Sequence, residues 1–264
     1  MSLAISCPAL SGAKKMASVT EIFRHPIKSH GLEQLQNVTL TPGQALPWDR
    51  HWAVAHDASK ADGTAWVPCA NFSRVAKAPQ LMALRARLNE ADASITLSHP
   101  DRKDFTFHPD DERQLSGFLA WIKPLMPADR AQSARIVAAP GTAMTDTDYA
   151  SISINNHASR RALSQRMGQD LSPLRFRGNI WVDGLAPWEE HDLAGKTMRI
   201  GTAVIEGVEP IVRCRATTTN PETGQRDADT LQALNDGWGH QYFGLYARVL
   251  EPGTIALNDT LEIL

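Results

Sequence analysis

The chain has 264 residues, of which 42% are hydrophobic, so it can bury a core in one large domain or two smaller ones. Its formal net charge of −2 gives no general electrostatic attraction to nucleic acid or to an anionic membrane. No run of about 18 apolar residues occurs, so the sequence predicts no membrane-spanning helix. The three cysteines form no C-x-x-C motif, which argues against a disulfide framework or an iron–sulfur cluster held by this chain alone and fits a reducing cytoplasm.

Small and polar residues fill the start of the chain, where Lys14 and Lys15 follow a short apolar patch instead of preceding it. This order is not that of a secretory signal peptide, and we expect residues 1–17 to be a disordered tail. Alternating apolar residues between turn residues then predict short strands at 19–22, 35–40, 49–57, 81–88, 94–97 and 105–108.

Two helices are predicted from capping residues and apolar spacing. The first begins at Asp111 and ends before Pro124, and its inner face is formed by Leu115, Phe118, Leu119 and Ile122. The second begins at Asn155 or Asn156 and ends near Met167. Free N–H groups at the start of this second helix, which also carries several basic residues, would suit a phosphate.

The stretch between residues 127 and 148 has weak periodicity, so we place a domain boundary near residue 140. This predicts an N-terminal domain at 18–139 and a C-terminal domain at 140–264. The second domain is rich in predicted short strands, at 151–154, 179–182, 197–200, 203–208, 211–214, 242–250 and 260–264. Many short strands with few helices predict a mainly β protein, either a β-barrel or an α+β barrel.

Several cofactor and catalytic motifs are absent from the sequence. Without G-x-G-x-x-G or G-x-x-x-x-G-K-[ST], Rossmann and P-loop nucleotide sites are not expected. Without H-E-x-x-H or G-x-S-x-G, zincin and α/β-hydrolase chemistry have no support. Pyridoxal phosphate binding is not expected either.

Cys214 lies between Arg213 and Arg215 at the end of a predicted strand, and a second basic stretch occurs at 175–179. Soft metals bind the thiolate form of cysteine, which nearby cations favour, so this pattern is compatible with a metal ligand in an anion-binding site. A buried apolar cysteine in a β-rich core is the alternative. Because side chains alternate along a strand, Arg213 and Cys214 can serve one site only if the chain leaves strand geometry near Cys214.

Six short motifs occur in one order along the chain: His-Pro-Ile-Lys-Ser-His-Gly (25–31), Asp-Arg-His-Trp (49–52), Arg-Phe-Arg-Gly-Asn-Ile (175–180), Gly-Leu-Ala-Pro-Trp-Glu-Glu (184–190), Val-Arg-Cys (212–214) with Asn-Pro-Glu-Thr-Gly (220–224), and Phe-Gly-Leu-Tyr (243–246). Together they resemble the MOSC family in its two-part form, which includes the mitochondrial amidoxime-reducing component and its bacterial counterparts. The resemblance implies a mainly β fold, with a MOSC N-terminal-type β-barrel domain followed by a MOSC β-barrel domain.

The resemblance also implies a molybdenum–molybdopterin cofactor, with Cys214 as the catalytic residue and metal ligand. The positions that would hold the cofactor are Lys28, Ser29, Arg50, Asn155, Asn156, Arg177, Asn179, Arg213 and Tyr246. Lysine and arginine donors from both halves suit an anionic phosphate, so the cofactor is expected in the cleft between the two domains. The chain departs from the family's pattern at Val212, where a serine is common, and at 67–71, where a more polar stretch is usual.

The activity implied by the resemblance is the reduction of small N-hydroxylated molecules, namely hydroxylamines, amidoximes and N-hydroxylated bases. No cysteine follows Cys214, so electrons are expected from a separate protein, either a ferredoxin or a cytochrome b5-like protein with its reductase. Two alternatives remain, a carrier of the molybdenum cofactor or of activated sulfur, and a β-barrel interaction protein without a cofactor. A cytoplasmic protein without nucleic-acid binding or a membrane span is expected in each case.

Overall fold

The computed structural model describes residues 17–139 and 143–264, which form fifteen strands and three α-helices. The strands are β1 (Ala17–Arg24), β2 (Glu33–Leu35), β3 (Asn37–Leu40), β4 (Trp52–His56), β5 (Arg85–Asn89), β6 (Ser94–His99), β7 (Arg102–Phe107), β8 (Ser133–Ala138), β9 (Ile152–Asn156), β10 (Ile180–Asp183), β11 (Thr197–Ile200), β12 (Ala203–Val212), β13 (Tyr242–Glu251), β14 (Gly253–Ala256) and β15 (Thr260–Ile263). The helices are α1 (Glu112–Ile122), α2 (His157–Met167) and α3 (Thr230–Trp238).

Seven strands close into a barrel in the order β10-β9-β13-β12-β11-β15-β1, and the pairing of β1 with β10 completes the circle. Only the β9–β10 pair in this barrel is parallel among the described strands. Alternate side chains along these strands point inward and pack as one apolar core, which includes Val19, Ile22, Ile154, Ile180, Ile205 and Leu245. The expected mainly β fold with a barrel is therefore confirmed.

Most of the N-terminal half forms a second apolar core beside the barrel. The three-stranded meander β5-β6-β7, the pair β4-β8 and helix α1 surround it. Its largest buried side chains include Trp52, Leu81, Phe107 and Phe118.

Strands of the N-terminal half pair with strands of the C-terminal half. Strand β1 belongs to the barrel, although the other barrel strands come from after residue 150, and β3 pairs with β14 near the C-terminus. A division at residue 140 therefore does not separate two independent sheets. These two pairings, β1 with β10 and β3 with β14, fix how the halves meet, because each of them joins residues more than 150 positions apart.

Both predicted longer helices are confirmed together with their caps. The side chain of Asp111 accepts a hydrogen bond from the backbone N–H of Arg113, and that of Asn156 accepts one from Ala158. Residues 203–212 form one strand, so the prediction of two strands with a break before residue 211 was wrong: pairing with β13 continues through three irregularities in register.

Two strands, β8 and β14, were not predicted from the sequence. Most of the expected tail lies outside the described residues, whereas Ala17 already belongs to β1. Among the described residues, no helix is long and apolar enough to cross a membrane.

Two histidines of the 25–31 motif are completely buried. Burial lowers the pKa of His25 to about 3, and the positive charge of Arg50 adds to this effect. Burial likewise lowers the pKa of His30 to about 4, although its ring Nδ1 lies 2.8 Å from the carbonyl oxygen of Lys28. Both rings therefore stay neutral in the folded protein at pH 5, while an unfolded histidine takes up a proton below about pH 6.5.

We predict that the free energy of unfolding falls as the pH is lowered from about 7 to 5. Each of the two histidines should contribute a loss of roughly 1.4 kcal/mol per pH unit below about pH 6.5, because the unfolded state binds the extra proton. Urea unfolding of the wild type and His30→Gln at both pH values measures this loss. The free energy of unfolding of the variant should fall less than that of the wild type, by about the contribution of one histidine. Equal losses in the two proteins would contradict a neutral, buried His30.

Candidate functional site

A cavity of about 520 Å³ opens where the two halves of the chain meet, and both halves line it. Eight of the ten residues predicted for the site line this cavity, namely Lys28, Ser29, Arg50, Arg177, Asn179, Arg213, Cys214 and Tyr246. Four of them are cations, Lys28, Arg50, Arg177 and Arg213, which we call the cationic wall. These eight predicted positions thus lie around one cavity, and their role in holding a cofactor stays a prediction.

Lys28 lies in a turn after β1. Its backbone N–H donates to the carbonyl oxygen of Trp52 at 2.8 Å, and this hydrogen bond connects the turn to β4. Its buried ammonium donates to the carbonyl oxygens of Met144 and Thr145, at 2.8 and 3.2 Å, and to a carboxylate oxygen of Asp146. An ammonium has three N–H donors, so each of them has a partner. The next residue, Ser29, has a left-handed backbone with a φ of 65°.

Arg50 stands next to a completely buried carboxylate, that of Asp49. One terminal nitrogen of Arg50 donates to Asp49, and the other donates to the carbonyl oxygen of Arg177 at 2.8 Å. Burial is the largest single effect and acts to lower the pKa of Arg50, but the charge and hydrogen bond of Asp49, together with the charge of Asp146, outweigh it, so that the pKa is raised. Asp49 also accepts a hydrogen bond from the backbone N–H of His25 at 2.7 Å, which holds it in place behind Arg50.

Arg177 ends a short 3₁₀ turn at Pro173–Phe176 and has a left-handed backbone with a φ of 50°. Non-glycine residues adopt this conformation rarely, and it is found most often at functional sites. One terminal nitrogen, Nη2, donates to the carbonyl oxygen of Gly31 at 3.2 Å, whereas Nη1 is buried and has no hydrogen-bond partner among the described residues. Burial and the nearby charge of Arg50 lower the pKa of Arg177 to about 9. An anion in the cavity would stabilise this guanidinium.

Arg213 follows directly after β12 and is held by oxygen atoms that carry no charge. Its guanidinium donates to the carbonyl oxygens of Phe243 and Phe176, at 2.8 and 2.7 Å, and to the amide oxygen of Asn155 at 2.9 Å. The same guanidinium lies within 6 Å of the ring centroids of Phe176 and Phe243. Burial lowers its pKa to about 10.

Asn155 and Asn156 do not line the cavity, although both were predicted to hold a cofactor. Both side chains are completely buried. Asn155 contacts Arg213 from behind the cationic wall, and Asn156 caps α2 and donates to a carboxylate oxygen of Glu190 at 2.8 Å. The start of α2 is therefore capped by its own chain.

Cys214 is exposed at the cavity and no longer belongs to β12, which ends at Val212. It precedes a 3₁₀ turn at Arg215–Thr218, and its carbonyl oxygen accepts hydrogen bonds from the backbone and hydroxyl groups of Thr217, both at 3.2 Å. Because the chain leaves strand geometry here, Arg213 and Cys214 both reach the cavity, as the sequence argument required. A second cysteine, Cys69, also lines the cavity and accepts a hydrogen bond from Arg74 at 2.9 Å.

Sequence reasoning missed the segment between the two predicted domains. Its polar residues line the cavity beside the cationic wall, and they include Thr145, Asp146, Thr147, Asp148, Tyr149 and Ser151. The alternation of threonine and aspartate in a stretch without apolar periodicity was the available signal. Across the cavity, burial raises the pKa of Tyr246 to about 12, with a further contribution from Asp146, so this phenol stays protonated and can donate to an anion.

Within the ranges that the structure describes, no three histidine, cysteine, aspartate or glutamate side chains converge as a metal site. The fold and the cavity define a class of protein in which two joined β-rich halves enclose a cavity lined by cationic side chains and an exposed thiol. The family model of the MOSC N-terminal beta barrel domain matches residues 16–135, and that of the MOSC domain matches residues 142–262. The chain belongs to the MOSC family in its two-domain form.

Curated relatives of the chain are much longer proteins. It is 36% identical over 104 residues to the molybdenum cofactor sulfurase of Caenorhabditis briggsae, which spans 37% of this chain and 14% of the relative. It is 33% identical over 128 residues to the corresponding sulfurase of Drosophila mojavensis, spanning 47% of this chain and 16% of the relative. Among solved structures, the YUAD protein from Bacillus subtilis aligns with 94% of this chain and 96% of its own, with 12% identity and a TM-score of 0.44.

Two arginines of the 175–180 motif offer a test of the cationic wall. Arg175 is buried and forms an ion pair with Asp227 at 2.7 Å, whereas Arg177 forms no ion pair with a carboxylate among the described residues. We predict that Arg175→Gln lowers the free energy of unfolding by roughly 3 kcal/mol, because it leaves a partly buried carboxylate unpaired. Arg177→Gln should change it by less than about 1 kcal/mol, because a charge without a carboxylate partner adds little to the fold.

Urea unfolding of both variants in a buffer without multivalent anions makes this comparison. If Arg177→Gln destabilises the protein as much as Arg175→Gln does, the positive charge of Arg177 is structural, and the interpretation of the wall as an anion site would be wrong.

Proposed function

We propose that this protein binds a molybdenum–molybdopterin cofactor and reduces N-hydroxylated small molecules with electrons from a separate protein. One observation carries the proposal: the exposed thiol of Cys214 and the cationic wall line the same cavity. Membership of the MOSC family supports the choice of cofactor, and the names of the curated relatives connect related chains with that cofactor.

The residues of the cavity fit this cofactor. Molybdopterin carries a phosphate, and the buried Nη1 of Arg177 is an N–H donor that has no partner among the described residues. Guanidinium groups bind phosphate through paired hydrogen bonds, and the neutral phenol of Tyr246 adds a further donor. A thiolate is a ligand type that suits a soft metal, and Cys214 is exposed where it can act as one.

Each half of the chain would contribute to holding the cofactor. Lys28 and Arg50 would bind from the N-terminal half, and Arg177 and Arg213 from the C-terminal half, with Cys214 as the ligand that the protein supplies to the metal. Asn155 would act behind the wall by keeping Arg213 in position, since it accepts a hydrogen bond from that guanidinium. The cofactor itself would supply the two-electron redox chemistry.

The net reaction takes up two electrons and two protons, cleaves the N–O bond and releases the amine or amidine and water. The cavity also has apolar lining atoms, from Trp66, Val75 and Ile211, against which the organic part of a substrate can pack. The chain's own residues thus provide a polar side for the cofactor and an apolar side for a substrate.

A second candidate function is supported by the relatives that are named molybdenum cofactor sulfurases. In that case the protein would carry the cofactor or activated sulfur, with Cys214 as the sulfur acceptor, and would reduce nothing. The two candidates share the cavity and differ in turnover, because a reductase alone consumes a hydroxylamine or an amidoxime.

We predict that cofactor-loaded wild type, supplied with a chemical reductant, converts an aryl amidoxime to the amidine. Cys214→Ser should reduce this rate to background, because it removes the thiolate ligand. Cys7→Ser, changed in the segment before Met16, is the cysteine control and should keep the wild-type rate. Chromatography of amidine formed per chain measures all three.

Two results would contradict the proposal. A Cys214→Ser variant with wild-type turnover would show that this thiol is not the ligand. A loaded wild type that retains its metal but forms no amidine would favour the carrier function.

A further inference from the structure

Two carboxylates lie beside the cationic wall, and they differ in how firmly they are held. Asp49 is completely buried, with one oxygen on the backbone N–H of His25 and the other on Arg50. Asp146, in contrast, has 62% of its side chain exposed, while its partner Lys28 has only 7% exposed. Asp49 is therefore a fixed part of the wall, whereas Asp146 can turn into solvent without moving the backbone.

The contact between Lys28 and Asp146 also completes the coordination of the ammonium. Two of its three donors bind the carbonyl oxygens of Met144 and Thr145, which are held in the backbone, and the third binds the Asp146 carboxylate. Any anion that binds Lys28 must therefore take the place of one of these three acceptors. The carboxylate is the acceptor that is easiest to replace, because the side chain of Asp146 is largely exposed whereas the two carbonyl oxygens are fixed in the backbone.

The negative charge of Asp146 also acts on the three arginines of the cationic wall. Burial lowers the pKa of Arg177 to about 9 and that of Arg213 to about 10, and the negative charge of Asp146 acts in the opposite direction at both. The negative charge of Asp146 also acts to raise the pKa of Arg50. The Asp146 carboxylate thus lies in the field of all four cations, which is where an anionic ligand would be most strongly attracted.

We propose that the Asp146 carboxylate is an exchangeable internal counter-anion of the cationic wall, and that a ligand phosphate must displace it from Lys28 to bind. This deepens the proposed function, since it rests on the cavity holding a phosphate group. The exchange makes the cavity selective: a phosphate carries about 1.5 to 2 negative charges and three acceptor oxygens, so it gains more than the carboxylate loses. A singly charged carboxylate or halide forms no stronger contact with Lys28 than Asp146 does, so it does not displace Asp146.

The test uses the full chain, produced without cofactor, and titrates it with inorganic phosphate and separately with acetate by calorimetry. The variants are Asp146→Asn and a matched control, Asp148→Asn, which removes a carboxylate from the same cavity and leaves the Lys28 contact intact. Thermal unfolding of each variant first establishes that it is folded.

We expect Asp146→Asn to bind phosphate about tenfold more tightly than the wild type, and to gain measurable acetate binding, so that selectivity for phosphate falls. Asp148→Asn should change either affinity by less than about threefold, through the loss of one unit of general negative charge. In a Lys28→Gln background, Asp146→Asn should change phosphate affinity by no more than Asp148→Asn does, because the contact that it releases is already absent and only the general charge effect remains.

Equal effects of Asp146→Asn and Asp148→Asn would overturn the proposal, since only the number of charges would then matter. Weaker phosphate binding by Asp146→Asn would overturn it too, because Asp146 would then assist the anion. An unchanged effect of Asp146→Asn in the Lys28→Gln background would show that Lys28 is not the point of exchange. None of these outcomes bears on amidoxime turnover, so the two proposals fail independently.

Discussion

The four cations of the cationic wall line one cavity, and most of the atoms that hold them are neutral. Arg213 donates to two carbonyl oxygens and an amide oxygen, Arg177 donates to the carbonyl of Gly31, and Arg50 donates to the carbonyl of Arg177 as well as to its neighbouring carboxylate. A carbonyl oxygen satisfies a donor without cancelling its charge, so the charges of Arg177 and Arg213 remain available to an anion in the cavity. Burial is the main cause that lowers the pKa of both side chains, to about 9 for Arg177 and about 10 for Arg213.

The same hydrogen bonds join the two halves of the chain, so the site and the fold depend on each other. Arg50 reaches from the N-terminal half to the carbonyl of Arg177, and Arg177 reaches back to Gly31. The pairings of β1 and β3 with strands of the C-terminal half hold the halves in register, so that Lys28, in the loop after β1, and Arg213, directly after β12, line one cavity. A cavity built in this way cannot form from either half alone.

Local signals in the sequence predicted the parts of the structure that local physics decides. Capping side chains and apolar spacing gave α1 and α2, and the alternation of strand side chains required the chain to leave strand geometry before Cys214. Strands β8 and β14 and the position of Asn155 behind Arg213 depend on partners far along the chain, which no local pattern encodes. The resemblance to a known family supplied the cavity residues, but it could not show that Asp146 faces them.

The central claim is that the cationic wall holds a molybdenum cofactor, and metal content tests it most directly. Molybdenum and pterin per chain should be measured in wild type, Arg177→Gln and Arg199→Gln, each produced in a host that makes the cofactor. Arg199 is an exposed arginine of β11 that does not line the cavity, so its variant is the matched control. The account predicts about one molybdenum and one pterin per chain in wild type and Arg199→Gln, and a severalfold depletion of both in Arg177→Gln. Equal occupancy in all three proteins, or a wild type without molybdenum, would contradict it.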